Sequence, residues 1–306
     1  MKRSLLSLVS PAIVLGLLAI AVWVLQHQLR VFHYHDLTRS IAAIPRRRLC
    51  LALILTVLSY LVLTGYDVLA LHYLRHPLKY GKIALASFIG YVFSYNIGLS
   101  ILGASAVRYR FYSAWGLSAA EISKVVAFCT LSFWIGVLSV AGVTLLLEPS
   151  RLLAALPLPF GVVRGLGVIL LGIVVAYLVW SAAKTAPLKL LKWEFPLPST
   201  PLSLGQIGLS TLDWCLVGSI CYVLLPPSSA VSYPAFLGIF VLAQVIGLIS
   251  HVPGGIGIFE TVMLLLLSPT LPVSAVVGSL LAYRGIYYWL PLLVAVVLLV
   301  THEVAR

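Results

Sequence analysis

Residues Trp214 to Phe259 read WCLVGSICYVLLPPSSAVSYPAFLGIFVLAQVIGLISHVPGGIGIF, and no Asp, Glu, Lys or Arg falls among these 46 residues. About 20 apolar residues wound as helix cross a bilayer core of roughly 30 Å. The stretch is therefore long enough for two passages, divided at Pro226-Pro227, a pair that breaks helices. Working outward, uncharged runs of at least 18 residues recur at 4–29, 49–66, 83–107, 125–147, 165–183, 195–212, 261–283 and 285–302. Of the 306 residues 61% are hydrophobic and 9% charged, against about 25% charged in a soluble domain. The pattern predicts an all-α, polytopic membrane protein, one integral membrane domain over 1–306. It excludes a soluble enzyme and a nucleic-acid-binding domain.

The net charge of +12 has a simple source in such a chain. Its bases flank apolar runs, where they meet anionic lipid headgroups at about 1 kcal/mol each. Cys50, Cys129, Cys215 and Cys221 lie in apolar sequence without CxxC spacing and read as small buried hydrophobes, with no metal site and no cofactor expected. Met1-Lys2-Arg3 and the apolar run after it mimic a signal peptide, but the run is longer than the usual 7–15 residues; it reads as a retained first helix.

About eight spans follow: 5–25, 50–72, 83–105, 122–147, 165–183, 203–225, 233–250 and 273–300. Prolines at 45, 77, 149, 157, 159, 187, 196, 198 and 226–227 punctuate them. Residues 254–268 are too short to cross once the glycines are set aside, which predicts a re-entrant half-helix. The connector 26–48, with five arginines and the His33-Tyr34-His35 cluster, reads as a short interfacial helix. No loop is long enough for a soluble catalytic module. The tyrosines and tryptophans read chiefly as an interfacial belt.

One internal echo is visible. Phe88-Ile-Gly90, Asn96 and Gly98 precede Leu117-Ser-Ala-Ala120 and Ala127-Phe128; Phe236-Leu-Gly238, Gln244 and Gly247 precede Pro272-Val-Ser274-Ala275 and Ala282-Tyr283. Transporters built by duplication carry their site between the halves. Four intervening spans make the repeat parallel; one hairpin counted as a span makes it inverted.

Charges inside spans carry the functional signal, because each costs about 2.5–3.5 kcal/mol at a helix centre unless partnered or hydrated. They are Asp67, Arg108, Arg110, Asp213, Glu260 and Arg284. Paired internally, as Glu260 with Arg284, they would only fix helix register. Gathered around a wet cavity, they would bind a polar substrate. Pro253-Gly254-Gly255-Ile256-Gly257 breaks the backbone at membrane depth, where irregular chain is tolerated only in protein or beside water. A half-helix beginning there would aim its amides at an anion. Asn96 and Gln244 are expected to bond across helices. Ser250-His251 lacks a nucleophile elbow, and no catalytic residue is recognised.

These motifs together resemble one family. Tyr66-Asp67-Val-Leu-Ala70, Ser87-Phe-Ile-Gly-Tyr91, Arg108-Tyr109-Arg110-Phe111-Tyr112 with Gly116-Leu117, Asp213-Trp214, His251-Val-Pro-Gly-Gly-Ile-Gly257 through Glu260, and Leu281-Ala-Tyr-Arg284 with Tyr287, Tyr288 and Pro291 are similar to the YbhN-like inner-membrane proteins. These share a domain with the transmembrane half of bifunctional lysylphosphatidylglycerol synthase/flippases. The resemblance implies a bacterial inner-membrane protein that translocates phospholipid. By matching motif it places Asp67, Arg108, Asp213 and Glu260 at polar positions linked to transport. The sequence ends at Arg306 soon after its last span, so lysyltransferase activity is not expected.

The leading expectation is a phospholipid translocase, not an enzyme. Arg108, Arg110 and the Pro253–Gly257 amides would hold phosphate, while Asp67, Asp213 and Glu260 would neutralise arginines or bind a headgroup amine. The alternatives are a secondary transporter of a small soluble anion and a non-transporting partner of a lipid-modifying enzyme. An enzyme acting within the membrane lacks a recognisable nucleophile, metal set or donor motif.

Overall fold

A computed structural model describes residues 44–97, 100–148, 159–183, 188–190, 193–195, 198–228 and 231–304. The expected span at 5–25 and the histidine cluster lie outside these. The described helices are α1 (Arg46–Tyr73), α2 (Tyr80–Ile97), α3 (Ser100–Ala114), α4 (Ala119–Leu147), α5 (Phe160–Ala182), α6 (Thr200–Leu224), α7 (Tyr233–Ile249), α8 (Ile258–Leu267), α9 (Val273–Tyr283) and α10 (Leu290–Val304). A six-residue π-helix, Arg284–Trp289, joins α9 to α10, and a two-stranded antiparallel ribbon, Leu188–Leu190 with Trp193–Phe195, lies between α5 and α6. Among the described residues, five helices are long and apolar enough to cross a membrane: α1, α4, α5 from Gly161, α6, and the continuous Val273–Val304. The protein is an all-α, multi-pass membrane protein.

Local chemistry sets the helix starts. Ser118 accepts from the Glu121 amide at 3.3 Å, and the Glu121 carboxylate accepts from the Ser118 amide at 2.8 Å, a reciprocal capping box opening α4. Inside the spans, Thr56, Ser132, Ser139 and Thr144 each return a hydroxyl to the carbonyl four residues back. These four hydroxyls are thus satisfied without water. Close packing replaces the hydrophobic drive that lipid cannot supply. A Cβ at Gly136 of α4 would stand 2.6 Å from the Trp214 ring and 2.8 Å from the Ser210 carbonyl of α6, so only hydrogen fits.

The two regions read as spans 83–105 and 233–250 fold differently. Helices α2 and α3 lie antiparallel, with Gly90 facing Ala104 and Val107 across the hairpin. Helix α7 turns back into α8, with Gly247 against Gly255 and Phe259. The ten residues of α8 rise about 15 Å, half the hydrocarbon thickness, as expected of a re-entrant half-helix. The turn between them uses Gly254 at φ 60°, Gly255 at φ 63° and Gly257 at φ 82°. That left-handed region costs glycine little and other residues more. Periodicity cannot separate a hairpin arm from a span, because both are apolar; only the chain reversal distinguishes them.

The chain order is then helix, hairpin, helix (α1, α2–α3, α4), followed by α5, then helix, hairpin, helix again (α6, α7–α8, α9–α10). Three crossings, α4, α5 and α6, separate the hairpins, and an odd number inverts the second unit. Helix α1 accordingly runs antiparallel to α6: Arg48 bonds the Leu225 carbonyl, Ser59 meets Asp213, and Gly205 faces Leu69. Helix α4 packs on hairpin arm α7, and α10 packs on hairpin arm α2. The echo in the sequence is an inverted repeat with its two hairpins pointing inward from opposite faces.

Candidate functional site

Between the hairpins lies a cavity of about 650 Å³, walled by α2, α3, α4, α6, α7, the α7–α8 turn and the π-helix. Of the candidate binding residues named from the sequence, Arg108, Asp213, Gly254 and Gly255 line it, as do Gln244 and His251. Asp67, Arg110, Pro253, Gly257, Glu260 and Arg284 stand behind or beyond its wall.

Asp67 on α1 is fully buried and Arg108 on α3 almost so. Arg108 gives Nε to Oδ1 and Nη2 to Oδ2, both at 2.8 Å, a fork-to-fork pair. Tyr112 donates to Oδ1 at 2.8 Å and Ser87 to Oδ2 at 3.0 Å. The carboxylate is saturated, and its partner keeps only Nη1 uncommitted. The guanidinium lies 4.8 Å from the Tyr91 ring centroid, so its other face is held by cation–π attraction.

Glu260 and Arg284 form the second pair. Arg284 gives Nε to Glu260 Oε1 at 2.7 Å and a further bond to the Gly254 carbonyl, while Glu260 Oε2 accepts from the Gly257 amide at 2.8 Å. The anion that the broken backbone attracts is thus a side chain of the protein itself. The Gly257 amide, expected to face a substrate phosphate, is already occupied. Arg284 packs its cation over Tyr288 at 4.6 Å and Phe259 at 5.4 Å, and its Nη2 has no hydrogen-bond partner among the described residues. Arg110 reaches Glu303 of α10 at 2.6 Å, tying hairpin arm α3 to the other repeat.

Asp213 differs from both other acids. It is 3% exposed, lines the cavity, and has no cation partner among the described residues. Its oxygens accept from hydroxyls alone: Oδ1 from Ser59 at 3.3 Å and Oδ2 from Tyr66 at 3.1 Å.

The sequence reading missed the tyrosines. Tyr66, Tyr91, Tyr283, Tyr287 and Tyr288 are buried, not interfacial, and Tyr91, Tyr95, Tyr287 and Tyr288 form one cavity wall. The rings touch in series, from Tyr91 to Tyr95 at 6.1 Å, Tyr95 to Tyr287 at 6.0 Å and Tyr287 to Tyr283 at 5.6 Å. A signal existed: Tyr283, Tyr287 and Tyr288 fall at helical spacing beside Arg284, one face of the last span. Gln244 donates to the Tyr283 and Tyr288 hydroxyls at 3.3 Å, and Asn96 to the Tyr288 carbonyl at 3.5 Å. These are the cross-helix bonds expected of them. Among the described residues no cluster of His, Cys, Asp or Glu has the makings of a metal site.

The family model described as the lysylphosphatidylglycerol synthase TM region matches residues 7–295. The uncharacterized protein slr0712 of Synechocystis is 43% identical over 276 residues, 90% of this chain and 86% of that protein. The inner membrane protein YbhN of Escherichia coli is 34% identical over 246 residues, 79% of this chain and 76% of that protein. The phosphatidylglycerol lysyltransferase of Bacillus subtilis is 24% identical over 294 residues, 95% of this chain but 34% of the enzyme's length.

Proposed function

Because the chain belongs to the lysylphosphatidylglycerol synthase transmembrane-region family, whose members are linked to lipid handling, we propose that it is a phospholipid translocator of the bacterial inner membrane and not an enzyme. The headgroup enters the cavity between the two hairpins while the acyl chains stay in the bilayer.

The observation that carries this reading is the cavity's rim. The lining residues that are also exposed are Trp134 on α4 and, across from it, Ile249 at the end of α7 with His251 beside it. Trp134 is 37% and Ile249 64% exposed, and Trp134 sits near the centre of a 29-residue helix. An opening at that height faces acyl chains, while Arg108 and Asp213 lie on the cavity wall. A lipid has the matching form, a polar head on apolar chains. A small soluble anion would gain nothing from an apolar rim, and the guanidinium groups it would seek are largely committed to Asp67 and Glu260.

Within this reading Arg108 Nη1 offers the phosphate a donor, and the paired charges act as preformed walls. The Tyr95, Tyr287 and Tyr288 rings give the headgroup a surface that is polarisable yet needs little desolvation.

The test is to reconstitute the purified protein in liposomes of phosphatidylglycerol and phosphatidylethanolamine carrying acyl-labelled lipid. An impermeant quencher then reports how fast label changes leaflet. Faster exchange than in protein-free vesicles is expected. Rates no faster than in protein-free vesicles, for either labelled headgroup, would reject the proposal.

A further inference from the structure

We propose that Asp213 is a proton-binding site, at which one proton is taken up and released as the coupling ion of transport. The three intramembrane acids sit in two kinds of surroundings. Asp67 and Glu260 face arginines, and a guanidinium only donates; protonating either acid would break its pair. Asp213 faces hydroxyls, which both donate and accept. As a carboxylate it accepts from Ser59 and Tyr66. As an acid it gives its new O–H to one of them, whose own hydrogen swings elsewhere. Both states keep their hydrogen bonds, so the site is built for either.

Among the described residues, the surroundings contain no fixed counter-charge. From α1 the facing groups are Ser59, Tyr60 and Tyr66; from α2, Tyr95; from the π-helix, Tyr287; from its own helix, Cys215. Two basic side chains line the same cavity: Arg108 is engaged by Asp67, and His251 is exposed at the α7–α8 turn with its Nδ1 2.7 Å from the Ile249 carbonyl. An ionised carboxylate here is a buried charge without a partner, which is costly in hydrocarbon. The proton leaves to, and returns from, water in the cavity that Asp213 lines, forming and breaking one O–H bond with no other reactant.

Position makes such a site consequential. Asp213 lies on the antiparallel α1–α6 seam, where the two repeats meet. Its partner Ser59 also stands 3.4 Å from the Tyr287 hydroxyl in the π-helix, a helix form frequent at functional sites. A change of protonation therefore rearranges hydroxyls on α1, on the seam and in the segment behind the cavity at once.

The coupling role rests on the translocator reading, but the site is tested without it. Infrared difference spectra are recorded on the full-length protein in phosphatidylglycerol–phosphatidylethanolamine liposomes as pH is cycled in sodium-free buffer. A protonated-carboxyl band that appears and vanishes reversibly is expected. It should move in wild-type protein grown on isotope-labelled aspartate, which needs no variant to fold, and be missing from Asp213→Asn. Absence of the band in wild type, its indifference to labelled aspartate, or its survival in a folded Asp213→Asn protein would overturn the proposal. Loss of the band on adding sodium at constant pH would do so too, by making sodium the ligand. In the leaflet assay, an imposed pH gradient should change the wild-type rate and leave the Asp213→Asn rate unchanged. A wild-type rate insensitive to the gradient removes the coupling role. A band present in protein that moves no lipid leaves the proton site standing and removes the translocator.

Discussion

Arg108 on a hairpin arm grips Asp67 on the first helix with two parallel bonds of 2.8 Å, and with neither group exposed the pair is a latch between α3 and α1. Removing one partner of such a buried pair costs about 3–5 kcal/mol, because the other charge is left behind. Asp67→Asn should therefore lower the unfolding free energy of the detergent-solubilised protein by that order, read from its denaturant titration. Asp67→Asn combined with Arg108→Gln should be less destabilised than the sum of the two single changes, with a coupling of about 1–3 kcal/mol. Additive losses would mean that the two groups do not act as a unit.

At the other hairpin, Glu260 serves two partners, and substitutions separate them. Glu260→Gln keeps an oxygen for the Gly257 amide but removes the charge facing Arg284. Glu260→Ala removes both, and should be less stable than Glu260→Gln by about 1 kcal/mol, the usual worth of a helix cap. Thermal unfolding of the two variants side by side reads the difference. Equal stability would show that the cap contributes nothing.

Steric fit between spans gives a sharper contrast. Gly136→Ala puts a methyl 2.6 Å from the Trp214 ring and 2.8 Å from a backbone carbonyl, an overpacking expected to cost about 1–3 kcal/mol. Gly172→Ala on the open face of α5 meets nothing within 4 Å and should be neutral or mildly stabilising, since glycine is the weaker helix former. The same unfolding measurement, with the order of the two variants reversed, would contradict the helix packing.

How much of this was open to a reader of residues alone follows from what each signal measures. Charge-free length fixed the membrane class, since nothing but lipid tolerates the run from Trp214 to Phe259. The glycines after Pro253 showed a break because positive φ demands them. The pairing of Glu260 with Arg284 was legible as an option; that of Arg108 with Asp67 was not, because the two lie 41 positions apart and meet only when a hairpin closes. The tyrosines were misplaced for a related reason. An amphipathic ring suits both an interface and a polar cavity, and composition carries no depth. The hairpin over α2–α3 hid in a run as apolar as any span.

The inverted arrangement puts the bases of the two hairpins on opposite faces of the membrane. Lys79 lies beside the start of α2 and Ser268 just past the end of α8. In a background with the four native cysteines replaced, Lys79→Cys and Ser268→Cys should label from opposite sides of sealed vesicles with an impermeant thiol reagent. Labelling from the same side would make the repeat parallel and undo the topology.

Water in the cavity is the physical condition on which headgroup and proton both depend, and thiol chemistry reads it directly. Thiolates, not thiols, react, and a thiolate forms only where water can solvate it. Thr130 lines the cavity, whereas Val175 on α5 is 58% exposed and faces outward at mid-helix. In the same cysteine-free background, Thr130→Cys should react with a charged, water-soluble thiosulfonate. Val175→Cys, more exposed in the bare protein, should resist it in liposomes while reacting once the protein is unfolded. Exposure alone would rank the two the other way, so the order of reactivity separates a wet cavity from an oily one. If Thr130→Cys stays unmodified in liposomes yet reacts once the protein is unfolded, the cavity is filled with hydrocarbon, and a polar headgroup has no route through it.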